Sequence, residues 1–206
     1  MKTIIALALA SLTISSSAFA AGDRIQLTPE VGVGATFNLG VSSGRDEGTL
    51  SADGGPVFGG RFSYRVHPTG FVYLAYHREL TTAYYRQDGE FETSASANVT
   101  FDYFQFGGRI EVPRGKMFPY AGFALGATRI GSQDTSGASV SFMANLDLGV
   151  RWELLPFLHV GLLARLPITF VTGESGAFCL NNSCAFVYHG DPLVQIQGLL
   201  GAGVQF

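Results

Sequence analysis

Charge is the first thing this chain is short of. Only 14% of its 206 residues are Asp, Glu, Lys or Arg, against about 25% in a typical soluble domain. An ordinary water-facing surface is therefore hard to assemble from it. The formal net charge of −3 excludes the basic patch that nucleic-acid binding requires. Long apolar runs are missing as well: no window reaches the roughly 18 uninterrupted apolar residues of a transmembrane helix. Glycine, in contrast, is abundant at 27 residues, which argues against a helical bundle because each interior Gly costs a helix about 1 kcal/mol. An exported β-protein or a membrane β-barrel remains.

The start of the chain reads as an export address. Lys2 supplies a positive charge, Ile4 to Leu12 form a compact apolar run, and Ala18-Phe19-Ala20 is a small-residue cleavage pattern. The predicted signal peptide spans 1–20 and leaves one domain, 21–206. The apolar run is too short for a retained anchor, and no Cys follows the cut to support a lipoprotein. Export places the only two cysteines, in Cys179-Leu180-Asn181-Asn182-Ser183-Cys184, in an oxidising compartment. A disulfide between Cys179 and Cys184 is expected there. Two sulfurs without a neighbouring His or further Cys make a poor zinc site, so no metal is expected.

From Ile25 onward the chain alternates. Ile25, Leu27, Pro29, Val31, Val33, Ala35, Phe37, Leu39 and Val41 share one parity; Gln26, Thr28, Glu30, Gly32, Gly34, Thr36, Asn38 and Gly40 share the other. Successive strand side chains point to opposite faces, so this is a strand with one apolar and one polar or small face. Seven further runs of the same kind follow and end in Val204-Gln205-Phe206. Short connections near 67–70, 113–116 and 154–156 alternate with long polar ones near 42–56, 82–98, 131–137 and 172–192. Short turns at one end and long loops at the other are the pattern of outer-membrane barrels, with periplasmic turns and extracellular loops. The expected fold is an all-β, eight-stranded, antiparallel up-and-down transmembrane barrel with both termini on the periplasmic side.

Alternation alone does not say which face points outward, since a lipocalin-like barrel turns its apolar face inward. The charges decide. The polar parity holds Glu30, Glu79, Glu111, Asp147 and Glu153 together with Arg61, Arg65, Arg109, Arg151 and Arg165, five acids against five bases. Such a set can compensate its own desolvation as a hydrogen-bonded lumen network. On the apolar parity the charged exceptions, Arg78, Asp102 and Arg129, cluster toward the long loops, where an outward charge costs roughly 0–1 kcal/mol. An interfacial Arg78–Asp102 ion pair is the plain expectation. The sharper one is that Arg78 and Arg129 hold lipopolysaccharide phosphates. Phe62, Tyr64, Phe118, Trp152, Phe157 and Phe206 near the turns, and Tyr76, Tyr84, Tyr85, Phe101 and Phe142 toward the loops, read as two interfacial girdles.

Eight strands, the segment Pro119-Tyr120-Ala121-Gly122-Phe123-Ala124-Leu125-Gly126 and the end Gly201-Ala202-Gly203-Val204-Gln205-Phe206 resemble the small outer-membrane β-barrel superfamily of the OmpA transmembrane domain, OmpX and OmpW. The resemblance covers essentially all of 25–206. It implies an integral outer-membrane location among lipids and lipopolysaccharide. It also implies that the terminal Phe206 is the signal read by the barrel assembly machinery. Because some outer-membrane barrels modify lipids, His77, Glu79, His159, Ser141 and Asp147 are the residues to inspect for catalytic geometry.

An eight-stranded barrel is narrow enough for side chains to fill. Arg61, Arg65, Tyr73, Tyr103, Arg109, Tyr120 and Arg151 are expected to fill this one. The expected role is structural or surface-interacting, as a monomer, with no catalytic site and no cofactor. A narrow channel for small solutes or ions is the alternative, and a lipid-modifying enzyme comes third. The loops carry Arg45 and Arg86 against Asp46, Glu47, Asp53, Asp88, Glu90, Glu92, Asp134, Glu174 and Asp191, an acidic surface that an extracellular ligand would meet.

Overall fold

The computed structural model describes residues 24–36, 39–43, 46–87, 94–132, 138–170, 178–180, 183–186 and 192–206. The leader expected over 1–20 lies outside the described residues. The strands are β1 (Ile25–Thr36), β2 (Leu39–Ser43), β3 (Asp46–Ala52), β4 (Gly55–His67), β5 (Gly70–Gln87), β6 (Ser94–Glu111), β7 (Met117–Ser132), β8 (Ala138–Leu155), β9 (Leu158–Phe170), β10 (Phe178–Leu180), β11 (Ser183–Phe186) and β12 (Leu193–Gln205). Eight of them close into a ring, β1-β4-β5-β6-β7-β8-β9-β12 and back to β1, each pair antiparallel. Closure pairs every wall strand on both sides, which matters in hydrocarbon because an unpaired N–H or C=O there costs several kcal/mol. The seam is completed at its last residue: Phe206 N donates to Ile25 O at 3.0 Å and Ile25 N donates to Phe206 O at 2.9 Å.

Two turns at one end are two-residue hairpins, Pro68-Thr69 between β4 and β5 and Pro156-Phe157 between β8 and β9. The third, between β6 and β7, needs Gly115 at φ 66°, a left-handed conformation that a side chain disfavours. At the other end the strands run further than their composition suggests. Much of the polar stretch expected as loops over 42–56 and 82–98 is strand. β2 and β3 form a hairpin, and β3 pairs with the upper part of β5 from Ala52↔Ala83 to Gly48↔Gln87. β6 meanwhile follows the other side of β5 up to Arg86↔Ser94. A strand rising above its neighbours exposes a row of backbone donors and acceptors, and the β2–β3 hairpin satisfies it. β10 and β11 form a separate hairpin in the last long connection.

Burial runs opposite to that of a soluble barrel. Val33 (67% exposed), Leu148 (64%), Leu200 (62%) and Phe106 (61%) stand outward, while Gln26, His77, Glu79, Asn145 and Gln195 are fully buried inside. The wall is apolar outside and polar within, as a bilayer requires.

Candidate functional site

The lumen takes its character from strand parity. Every second residue of each wall strand points inward, so the polar residues of eight strands converge on one axis. Three contacts span it between strands on opposite sides of the ring. Arg61 on β4 lies 3.5 Å from Asp147 on β8. Arg165 on β9 donates to His77 Nδ1 on β5 at 2.7 Å. Tyr103 on β6 donates to Gln195 Oε1 on β12 at 2.6 Å.

Around these braces the charges sort into two groups. In the first, Glu30 is 3.2 Å from Arg61 and 3.9 Å from Arg165. Asp147 accepts from Arg165 Nε at 3.0 Å, Asn145 at 2.7 Å and Tyr73 O–H at 2.8 Å. The Arg61 guanidinium lies 4.7 Å from the Tyr73 ring centroid. Because Arg can only donate, His77 Nδ1 is an acceptor, so Nε2 carries the hydrogen and donates to Glu30 at 2.6 Å. In the second group, nearer the short turns, Arg151 forks onto Glu111 at 2.8 and 3.3 Å and reaches Glu153 at 2.9 Å and Gln205 at 3.2 Å. Arg109 pairs with Glu111 at 3.0 Å and donates to Gln26. Beside this group lies a cavity of about 20 Å³ bordered by Thr28, Tyr120 and His159, room for about one water.

Two of the ten sequence-derived lumen charges sit apart from these groups. Glu79 meets neutral partners, Gln197 Nε2 at 2.8 Å and Tyr103 O–H at 3.1 Å. Arg65 lies over Phe71 at 5.1 Å. Gln26, Gln105, Gln195, Gln197 and Gln205 share the inward parity and are all buried here; carrying no charge, they fall outside a lumen set chosen by charge. An apolar layer that no charge pattern marks lies toward the long-connection end, made by Val99, Phe101, Tyr103, Ile130, Met143 and Leu193. Phe101 is thus a lumen residue, 4% exposed, and not part of the loop-side girdle. Its parity is that of Tyr103. Phe118 likewise is not part of the turn-side girdle: the Arg151 guanidinium stacks on its ring at 4.2 Å, so it serves the lumen mouth. The side chains of Tyr84 and Tyr85 lie outside the description.

On the outer wall, Arg78, Asp102 and Arg129 occupy one cross-strand row of β5, β6 and β7. Asp102 accepts from Arg78 Nε at 2.6 Å and Nη2 at 3.2 Å, and from Tyr76 O–H at 2.8 Å. Arg129 Nη1 lies 3.7 Å from the same carboxylate.

Residues 5–175 match the family described as outer membrane protein β-barrel domain. The chain belongs to that family. No curated protein matches it. Solved structures of outer-membrane barrels share its fold at low identity. Neisserial surface protein A (NspA) is 13% identical, with 88% of this chain and 97% of that one covered and a TM-score of 0.57. OprG from Pseudomonas aeruginosa is 11% identical, with 89% and 97% covered and a TM-score of 0.62. AlkL, solved in lipid bilayers, is 10% identical, with 91% and 92% covered and a TM-score of 0.51.

Within this outer-membrane barrel His77 and Asp147 share Arg165, but no serine joins them and the candidate catalytic residues do not form a Ser, His and acid set. Ser141 and Asp147 are six positions apart on β8, about 20 Å at 3.3 Å per residue. His159 lies six positions beyond Asp147 in pairing register, opposite Glu153, and bonds Thr28 at 2.9 Å. His77 and Glu79 line one wall, each in its own hydrogen-bonded set.

Proposed function

We propose that this outer-membrane β-barrel is a structural and surface-interacting protein with an occluded lumen, neither a channel nor an enzyme. The carrying observation is the trio of axis-spanning contacts, Arg61–Asp147, His77–Arg165 and Tyr103–Gln195. Each places side-chain atoms where a permeating ion would have to pass. The apolar layer of Phe101, Ile130, Met143 and Leu193 adds a barrier to hydrated ions. Purified protein in a planar bilayer is expected to show no stable single-channel steps. Reproducible sustained conductance would make it a narrow channel instead.

Interaction then falls to the long-connection end, where the connecting segments are acidic and two hairpins project. The β10–β11 register sets Cys179 opposite Cys184, and cross-strand neighbours have the spacing a disulfide needs. We infer that the two are joined, limiting the conformations of the longest connection. Non-reducing peptide mapping of exported protein is expected to find the Cys179–Cys184 cross-link, lost on reduction. Quantitative alkylation of both thiols without reduction would contradict it. Phe206, whose backbone completes the β12–β1 seam, is proposed as the residue read by the assembly machinery.

A further inference from the structure

We propose that the outer wall over β1 and β4–β7 binds a phosphorylated, acylated lipid of the outer leaflet, lipopolysaccharide, with Arg78 and Arg129 on a phosphate and one acyl chain in the groove floored by Pro29 and Gly60. The reading rests on the membrane placement of the wall and is independent of whether the lumen conducts.

A structural ion pair for Asp102 is already complete with Arg78 and Tyr76, which supply three hydrogen bonds to its carboxylate. Arg129 is surplus to that set, held 3.7 Å away. The row therefore carries two guanidiniums against one carboxylate, and their side chains are 40% and 55% exposed while Asp102 is covered. An excess positive charge on an outward face calls for an anion, and the guanidinium fork suits a phosphate.

Apart from Leu80, the outward residues above the row on β5 and β6 turn polar (Thr82, Thr100, Asn98), while those below it are Tyr76, Phe104, Leu74 and Phe106. Arg78, Asp102 and Arg129 thus stand where hydrocarbon meets headgroup. They lie toward the long-connection end, which is the outer leaflet in this architecture.

One outward step below the row, Gly60 pairs with Tyr76 on one side and Pro29 on the other, so the wall has no side chain at Gly60 and only a short ring at Pro29. The result is an outward groove of about 770 Å³ flanked by Leu27, Phe62, Leu74, Phe104, Phe106 and Leu125. Phosphate clamp and apolar trough are stacked in the order of a lipid's own headgroup and chain. A Cβ at Gly60 would lie 3.4 Å from Thr28 O and 3.6 Å from Pro29 Cα, ordinary contacts, so a side chain can be started at Gly60 and Gly60→Leu raises the floor of the trough.

The test uses the full chain folded in detergent micelles, with bisphosphorylated lipid A as the probe and native mass spectrometry as the readout. Far-UV circular dichroism confirms that each variant is folded. Wild type is expected to retain the probe, R78Q/R129Q to bind it at least tenfold more weakly, and Gly60→Leu several-fold more weakly. Dephosphorylated lipid A should bind wild type no better than it binds R78Q/R129Q. Unchanged retention by R78Q/R129Q, or by Gly60→Leu, would overturn the site. Displacement of the probe by millimolar inorganic phosphate would reassign it to a free anion.

Discussion

Asp147→Ala is expected to destabilise the folded barrel by about 3–5 kcal/mol, the usual consequence of removing one partner from a buried ionic set. Asp147 accepts from Arg165, Asn145 and Tyr73 and lies 3.5 Å from Arg61. Both guanidiniums are completely shielded from solvent. Alanine leaves both with Glu30 as their remaining carboxylate. Asp147→Asn keeps the shape and an acceptor and is expected to cost less. Asp147→Ala combined with Arg165→Met should recover part of the loss, since the double variant removes a stranded charge as well as its partner. Reversible urea unfolding in lipid vesicles measures all three. A loss below about 1 kcal/mol for Asp147→Ala would mean that water screens these charges and the lumen is open.

Leu200→Arg is expected to destabilise the barrel by about 2–4 kcal/mol in vesicles, the cost of a lipid-facing Arg near mid-bilayer. Leu200 pairs with Val31 and Leu162 on its two neighbours, and all three stand outward with 62%, 59% and 49% exposure. Nothing packs over this position that a longer side chain would displace. On a water-facing wall the same substitution would be neutral. A neutral or stabilising result would therefore place the apolar face in water and contradict the membrane orientation itself.

Parity was legible residue by residue. Gln26, Thr28 and Glu30 alternate with Leu27, Pro29 and Val31, and the same period assigns inner and outer faces to all eight wall strands. Phe101 and Phe118 were misplaced by grouping aromatics by height alone, although each is in phase with an inward tyrosine, Tyr103 and Tyr120. Other features carried no local signal. The β2–β3 hairpin is cut from a polar stretch that reads as loop, and it forms because the rising edge of β5 offers it backbone partners. Glu79 looks in sequence like any other lumen acid, yet it meets glutamines and a tyrosine where Glu111 meets two arginines.

By itself, the sequence determined that this is an eight-stranded wall with hydrocarbon outside and charge inside. Side-chain alternation follows from the covalent geometry of one extended chain and needs no partner to express it. Only the tertiary structure decided that Arg61 meets Asp147, that Arg165 meets His77 and that Arg129 stands in one row with Arg78. Those neighbours depend on the stagger accumulated around the closed ring. That stagger is a property of all eight pairings together, and no single strand encodes it.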